Sequence, residues 1–185
     1  SMAAYGFEKK NFPGKEVLFR IYLLTLMIPG QVTMIPVFVM MNKMGMLNTY
    51  FALIVILLNA FGVFLIRQFM KEIPNELIEA AQVDGCPEHR IFLRVVLPLI
   101  QPVLVSLVVF TFVTSWNNFL WPLVSTTDSA MYTLTVSLSL LKTQYDTNYG
   151  LVMAGAAVSF FFPFMMYVIL QKQFVEGIAL SGVKG

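Results

Sequence analysis

Four long stretches of the 185-residue chain contain no charged residue, and they constrain its fold more than any other feature: Ile21–Asn42, Met44–Ile66, Val95–Thr127 and Thr147–Gln171. Each reaches the roughly 20 residues that an α-helix needs to cross a bilayer core of about 30 Å. Because unpaired backbone groups are costly in lipid, spans of this kind should be helical. The sequence predicts an all-α polytopic membrane protein, a single domain over residues 1–185, with spans near residues 17–41, 50–69, 97–121 and 150–171.

The composition excludes several classes of protein. Hydrophobic residues make up 58% of the chain and charged residues 12%, whereas a soluble domain carries about 25% charged residues. The net charge of +2 is too small and too scattered for a nucleic-acid surface. A single cysteine offers neither a disulfide framework nor a thiol cluster, and no metal site is predicted. The spans contain no His, Cys, Asp or Glu, which argues against an intramembrane enzyme and a self-contained ion-coupled carrier.

The lysines and arginines predict the orientation, since cytoplasmic flanks retain positive charge. If the first residues are cytoplasmic and four spans alternate, the outer segments hold only Lys43 and Lys142. The other basic residues all fall on the inner side: Lys9, Lys10, Lys15, Arg20, Arg67, Lys71, Arg90, Arg94, Lys172 and Lys184. Both ends of this chain are therefore predicted to face the cytoplasm.

A charged segment, residues 72–96, interrupts the apolar chain between the second and third spans. Pro74 suits a first helical position, and Gly85 is a natural helix terminator because it adopts a positive φ without strain. Pro87 then resembles a second helix start, and Pro98 should interrupt that helix. The segment is predicted to be a cytoplasmic helix–glycine turn–helix.

An apolar side at helical spacing supports the first of these helices, and it comprises Leu77, Ile78, Ala81 and Val83. Two short helices joined at a fixed angle form a stiff projection that suits docking to another protein. The alternative is an amphipathic hairpin that rests on the lipid surface, although such a hairpin would favour more Lys and Arg. The residues alone leave both interpretations open.

The stretch "EAAQVDGCPEHRIFLRVVLP" resembles the EAA motif of ABC importer permeases, which reads E-A-A, three residues, G, nine residues, I-x-L-P. The match at this spacing comprises Glu79, Ala80, Ala81, Gly85, Leu97 and Pro98, and Val95 replaces the usual isoleucine. Further stretches are similar to the carbohydrate-importer branch, among them "MIPGQVTMIPVFVMMNKMGMLNTY", "SWNNFLWPL" and "FVEGIALSGVKG". The resemblance implies a MetI-like permease core, preceded by one or two further spans.

In that family the cytoplasmic segment is a coupling helix, which sits in a cleft on the ATP-binding subunit. The resemblance implies that Glu79 makes a polar contact there, that Ala80 and Ala81 allow close approach, and that Gly85 sets the turn. The implied coupling residues are Glu79, Ala80, Ala81, Asp84, Gly85, Leu97 and Pro98. The chain has no Walker A motif, so ATP and magnesium are expected on partner subunits, with no cofactor bound by this chain.

The resemblance implies a permease subunit, not itself an enzyme, that passes a sugar or sugar-like solute across a bacterial or archaeal cytoplasmic membrane. Its partners would be ATP-binding subunits, a second and different permease, an extracytoplasmic solute-binding protein and membrane lipid. The alternatives are a permease for a non-sugar solute, an uncoupled channel and a structural membrane subunit. The tail residues Gly182, Lys184 and Gly185 would contact the ATP-binding subunits, although from physics alone they form a frayed terminus.

Polar groups within spans often line a pathway, and hydrogen bonds between helices are the alternative. Asn59 falls near the middle of the second span, while Asn117 and Asn118 follow Trp116 at the outer end of the third. Amides bond sugar hydroxyls and aromatic rings stack on sugar faces, so these four residues form the predicted solute path. Their alternative role is packing between helices together with an aromatic belt at the membrane surface.

Overall fold

The computed structural model describes residues 1–141 and 148–182, with side chains described as far as residue 171 in the last helix. Every regular element in these residues is helical, as predicted. In chain order the α-helices are α1 (Met2–Lys9), α2 (Lys15–Leu24), α3 (Gly30–Lys43), α4 (Tyr50–Val55), α5 (Ala60–Met70), α6 (Asn75–Val83), α7 (Glu88–Ile91), α8 (Leu97–Leu99), α9 (Gln101–Trp116), α10 (Leu120–Ser125), α11 (Leu134–Leu140) and α12 (Tyr149–Gly182).

The helices divide the predicted spans more often than the sequence suggested. Among the described residues, one continuous helix is long and apolar enough to cross a membrane, namely Tyr149–Gln171 within α12. Two further spans are obtained only when each of two broken helix pairs is counted as one span. The first pair is α2 with α3, and the second is the helical stretch Glu88–Leu99 with α9. The second of these pairs bends by 74°.

The first predicted span breaks at Pro29. A 3₁₀ turn over Thr25–Met27 ends α2, and Pro29 precedes α3. Proline has no N–H to continue the helical ladder, so the break follows directly from its chemistry. Pro36 lies inside α3.

The predicted span over residues 50–69 is interrupted in the structure. The structure has two helices there, α4 and α5, and Asn59 lies between them as the N-cap of α5. Its side-chain oxygen accepts a hydrogen bond from the Gly62 N–H at 3.3 Å. Asparagine favours this role because it satisfies a backbone donor that the first helical turn leaves free.

The described residues form two compact units, each held together by its own contacts. The first unit contains Ser1–Ile28 and Asn59–Val108, and the second contains Pro29–Leu58 and Val109–Gln171. The core of the first unit consists of buried side chains from α1, α5 and the charged segment with its continuation: Ala4, Tyr5, Ile66, Met70, Ile73, Ile78, Ile91, Val96, Ile100 and Val103. The charged segment is therefore part of a core, although most of its own residues are exposed.

In the second unit, hydrogen bonds from side chains join α4 to α10 and α9 to α12. The Trp121 indole N–H donates to the Ala52 carbonyl at 2.9 Å, and the Trp116 indole N–H donates to the Ser159 carbonyl at 3.1 Å. Asn48 accepts from the backbone N–H groups of Thr127 and Asp128, both at 3.0 Å. Asparagine is one of the few residues that adopt a positive φ readily, and Asn48 has φ of 59°.

The outer surface of α12 is strongly apolar. Phe160 is 67% exposed and Ile169 is 64% exposed, and other large apolar side chains along this helix are exposed as well. A continuous exposed apolar surface is costly in water, whereas in a bilayer it lies in its preferred solvent. This surface agrees with the predicted membrane location of the fourth span.

Candidate functional site

The turn between α6 and α7 is a Schellman motif centred on Gly85. The Cys86 N–H donates to the Ala81 carbonyl at 3.0 Å, and the Gly85 N–H donates to the Gln82 carbonyl at 2.9 Å. Gly85 has φ of 72°, in the left-handed region that glycine enters without strain. The prediction that Gly85 ends the first helix is confirmed. The helix itself begins at Asn75, one position after Pro74.

The predicted coupling residues differ in exposure. Glu79, Ala80, Asp84, Gly85 and Pro98 are exposed. Ala81 and Leu97 are partly buried and pack against the core of the first unit, so their side chains contribute mainly to the base of the projection.

The apolar side predicted for α6 is narrower in the structure. Ile78 is buried, but Leu77 is 45% exposed and Val83 is 88% exposed. Only the side that carries Ile78 and Ala81 meets the core of this unit. An exposed Val83 next to the turn gives the projection an apolar tip.

The helix α1 holds both ends of the charged segment. The Lys9 ammonium group donates to the Ile73 carbonyl at 2.7 Å and to the Asn75 side chain at 2.8 Å, just where α6 begins. The Tyr5 ring lies 5.4 Å from the Phe92 ring, just after α7. The projection is therefore fixed at its base by a helix more than 60 residues earlier in the chain.

The carboxylate of Glu88, at the start of α7, contacts two side chains of the N-terminal segment. The Tyr5 hydroxyl donates to Glu88, and the Lys10 ammonium group lies 2.5 Å from the same carboxylate oxygen. Lys10 and then Tyr5 hold the pKa of Glu88 below its usual range, since both stabilise the charged carboxylate. Burial and the hydrogen bond to Glu88 raise the pKa of Tyr5, so Tyr5 stays protonated as the donor.

A second ionic cluster fixes α1 and α2 to α5. Arg67 is only 6% exposed, and its guanidinium group lies 2.9 Å from Glu8 and 2.7 Å from Glu16. The same group lies over the Phe19 ring, 3.8 Å from its centroid. Two carboxylates and an aromatic face compensate the cost of burying the guanidinium charge.

The helical stretch that starts at Glu88 ends at Leu99, one residue after Pro98, where the sequence predicts an interruption. Before that end it passes through a π-helical turn over Phe92–Val96 into α8. Proline cannot donate the next ladder hydrogen bond, and its ring crowds the carbonyl one turn earlier, which accounts for the wider turn before it. Ile100 is fully buried at the bend that follows.

The residues of the predicted solute path have different partners in the structure. Asn59 caps α5 in the first unit. In the second unit, Trp116 donates to the Ser159 carbonyl and lies between Phe112 and Phe162, and the Asn117 amide donates to the Val113 carbonyl of its own helix. Of these contacts, the one from Trp116 to Ser159 joins two helices, whereas Asn59 and Asn117 each bond within their own helix.

Asn118 instead lines a cavity of about 380 Å³ in the second unit. Gln31 and Thr33 from the first turn of α3 lie on the same cavity, together with Trp121 from α10. The sequence placed Gln31 and Thr33 just after the Pro29 break, but nothing in it indicated that they meet Asn118.

The predicted tail contacts are outside the structural description. Lys184 and Gly185 lie beyond the described residues, and Gly182 ends α12 in a part whose side chains are not described.

A family model described as "Binding-protein-dependent transport system inner membrane component" matches residues 1–178. The chain belongs to this family. It is 38% identical over 186 residues to the arabinooligosaccharides transport system permease protein AraQ of Halalkalibacterium halodurans, covering 100% of this chain and 67% of that protein. It is also 37% identical over 185 residues to the lactose transport system permease protein LacG of Rhizobium radiobacter, covering 100% and 67%.

Two further relatives extend the range of solutes named in this permease family. The sn-glycerol-3-phosphate transport system permease protein UgpE of Yersinia pestis is 34% identical, covering 97% of this chain and 65% of that protein. A crystal structure of a bacterial ABC transporter involved in the import of the acidic polysaccharide alginate matches with a TM-score of 0.82 and 25% identity, covering 92% of this chain and 66% of that one. The chain spans about two thirds of the length of these relatives.

Proposed function

We propose that this chain is the permease subunit of an ATP-driven importer for a sugar or sugar-like solute, coupled to its ATP-binding partners through the helix–turn–helix of residues 72–96. The exposed Schellman turn carries the proposal, because it presents Glu79, Ala80, Asp84 and Gly85 on a projection with a packed base. Family membership supports the same conclusion.

The contacts of the projection suit the transmission of force. Ile78 and Ile91 fix its two helices to one core, while Lys9 and Glu88 bind them to the N-terminal segment. A push on the turn therefore moves α6, α7 and α1 together instead of bending a loop. Rigid-body displacement of this kind is how closure of one subunit changes the state of another.

The partners and orientation follow from this role. The projection and both ends of the chain face the cytoplasm, where the ATP-binding subunits hold ATP and magnesium. A second, different permease completes the membrane domain, and an extracytoplasmic protein delivers the solute. The tail residues Gly182, Lys184 and Gly185 are proposed to reach the ATP-binding subunits. The permease itself carries out no hydrolysis.

Two classes of solute are supported by the relatives. The names of AraQ and LacG favour a neutral saccharide. The name of UgpE favours an anionic polyol phosphate, which is the second candidate.

The chain offers its own probe for the docking contact, since the free thiol of Cys86 is exposed beside Gly85. The full-length permease would be co-expressed with its genomic neighbours, and membranes would be treated with a short thiol-to-amine cross-linker. A Cys86-dependent adduct with an ATP-binding subunit is expected, and Glu79→Lys should weaken it.

Two controls accompany the experiment. Cys86→Ser should abolish the adduct, and Glu72→Lys, an exposed carboxylate at the base of the segment, should leave it intact. If Cys86 reacts readily with a small maleimide but never captures an ATP-binding subunit, the coupling role is refuted.

A further inference from the structure

The cavity of the second unit combines groups that suit a hydroxyl-rich ligand. Asn118 and Gln31 each offer an amide, and Thr33 offers a hydroxyl oxygen whose hydrogen is donated to the Gly30 carbonyl at 3.0 Å. Neither amide side chain has a hydrogen-bond partner among the described residues. These donors and acceptors remain available to a solute.

The remaining wall of the cavity is apolar. The indole N–H of Trp121 is already bonded to the Ala52 carbonyl, so Trp121 contributes ring surface to the cavity, alongside Met34 and Val37. The volume of about 380 Å³ lies in the range of small-molecule sites, roughly 300–1,000 Å³. A few polar groups on an apolar wall suit a sugar, which has apolar ring faces and polar edges.

The described lining of the cavity favours an uncharged ligand, because none of these lining residues is ionisable. The first turn of α3 favours an anion only slightly through the helix dipole. Removing a carboxylate or phosphate from water without a paired cation is strongly unfavourable. The desolvation cost is the larger effect, whereas a neutral saccharide does not incur it.

We propose that this cavity is a contact site for a neutral saccharide and that it selects against anionic solutes. The proposal rests on the proposed import function and decides between its two candidate solute classes. Asn118 is the residue that fixes the solute hydroxyls, and Trp121 supplies the apolar face.

Two neighbouring positions on α3 provide a matched test. Met34 lines the cavity, whereas Ile35 is 69% exposed and does not line it. Each would be changed to cysteine in the full-length Cys86→Ser permease, assembled with its partner subunits in membranes. The rate of maleimide labelling would be measured with a panel of neutral mono- to trisaccharides, and with uronates and sugar phosphates of matched size.

At least one neutral saccharide is expected to slow labelling of Met34→Cys, about tenfold at ten times its dissociation constant, because a bound site is protected in proportion to occupancy. Labelling of Ile35→Cys should not change. Adding Asn118→Leu to Met34→Cys should remove the protection, measured as the ratio of labelling rates with and without solute.

Two results would overturn the proposal: protection by an anionic solute equal to that of the best neutral one, or no protection by any member of the panel. Either result can be told apart from failure of the import function. A Cys86 adduct with an ATP-binding subunit, obtained as described above, would show that the coupling role stands without this cavity.

Discussion

The Tyr5 hydroxyl donates a hydrogen bond to the carboxylate of Glu88, a residue 83 positions further along the chain. Lys10 shares the same carboxylate oxygen. The start of α7, immediately after the Schellman turn, is thereby fixed to the N-terminal segment. The position of the projection thus depends on residues far from it in sequence.

Glu88→Gln should loosen α1 without unfolding the permease. The amide keeps the size of the side chain but loses the ion pair with Lys10, and exposed pairs contribute about 0–1 kcal/mol each. Faster hydrogen exchange in α1 is expected, together with more ATP hydrolysed per solute imported. Glu72→Gln is the control, and equal exchange in both variants would contradict a role for Glu88 in holding α1.

Acid should release the same contact. Because the pKa of Glu88 is lowered in the folded protein from 4.5, its stabilising contribution is complete above the unfolded value and is lost as the pH falls through the folded value. The protection of the α1 amides, expressed relative to the intrinsic exchange rate at each pH, should therefore be constant at neutral pH and fall only below about pH 4.5. The Glu88→Gln variant should lack this acid step; if it retains the full step, another carboxylate is responsible.

Gly85→Ala should weaken coupling by changing the backbone alone. Among the described residues, no atom apart from those of its chain neighbours lies within 4 Å of an added Cβ, so the cost arises from the left-handed conformation, about 1–2 kcal/mol for a residue with a side chain. We expect a weaker Cys86 adduct and slower transport with normal membrane insertion. Gly85→Asn should recover part of the loss, since asparagine tolerates this region. Full activity in Gly85→Ala would refute the requirement for the turn.

Gly155→Val should destabilise the second unit through overpacking. A Cβ at Gly155 would lie 2.2 Å from a methyl carbon of Leu138, so α11 or its side chain must move, and overpacking costs about 1–3 kcal/mol. A lower Tm in detergent is expected. Adding Leu138→Ala to the Gly155→Val chain should restore most of the lost Tm.

Gly150→Ala is the matched control for that substitution. Its added Cβ meets only the Asn148 side chain, at 3.4 Å, which is ordinary contact. A Tm loss as large as that of Gly155→Val would show that any added side chain in this part of α12 is harmful, and that the contact with Leu138 is not the cause.

Much of the helix–turn–helix over residues 72–96 could be predicted from sequence because its determinants are local. The left-handed glycine at position 85 and the proline before α7 act within a few residues of themselves. The division of the second span does not follow from the sequence, because an asparagine within an apolar stretch is as compatible with a polar group inside a span as with a helix cap. The π turn was missed because Pro98 reads equally well as a helix end.

By itself, the sequence determined the helical class, the apolar spans and the exposed turn. Backbone hydrogen bonds in lipid must be made within the segment itself, and the conformations open to a glycine depend on that residue alone, so both are properties of short segments. The tertiary structure alone decided that Tyr5 and Lys10 meet Glu88, and that Asn118 lines the same cavity as Gln31 and Thr33. Such meetings depend on how helices distant in sequence pack, and helical periodicity specifies which side of a helix is apolar but not which helix it meets.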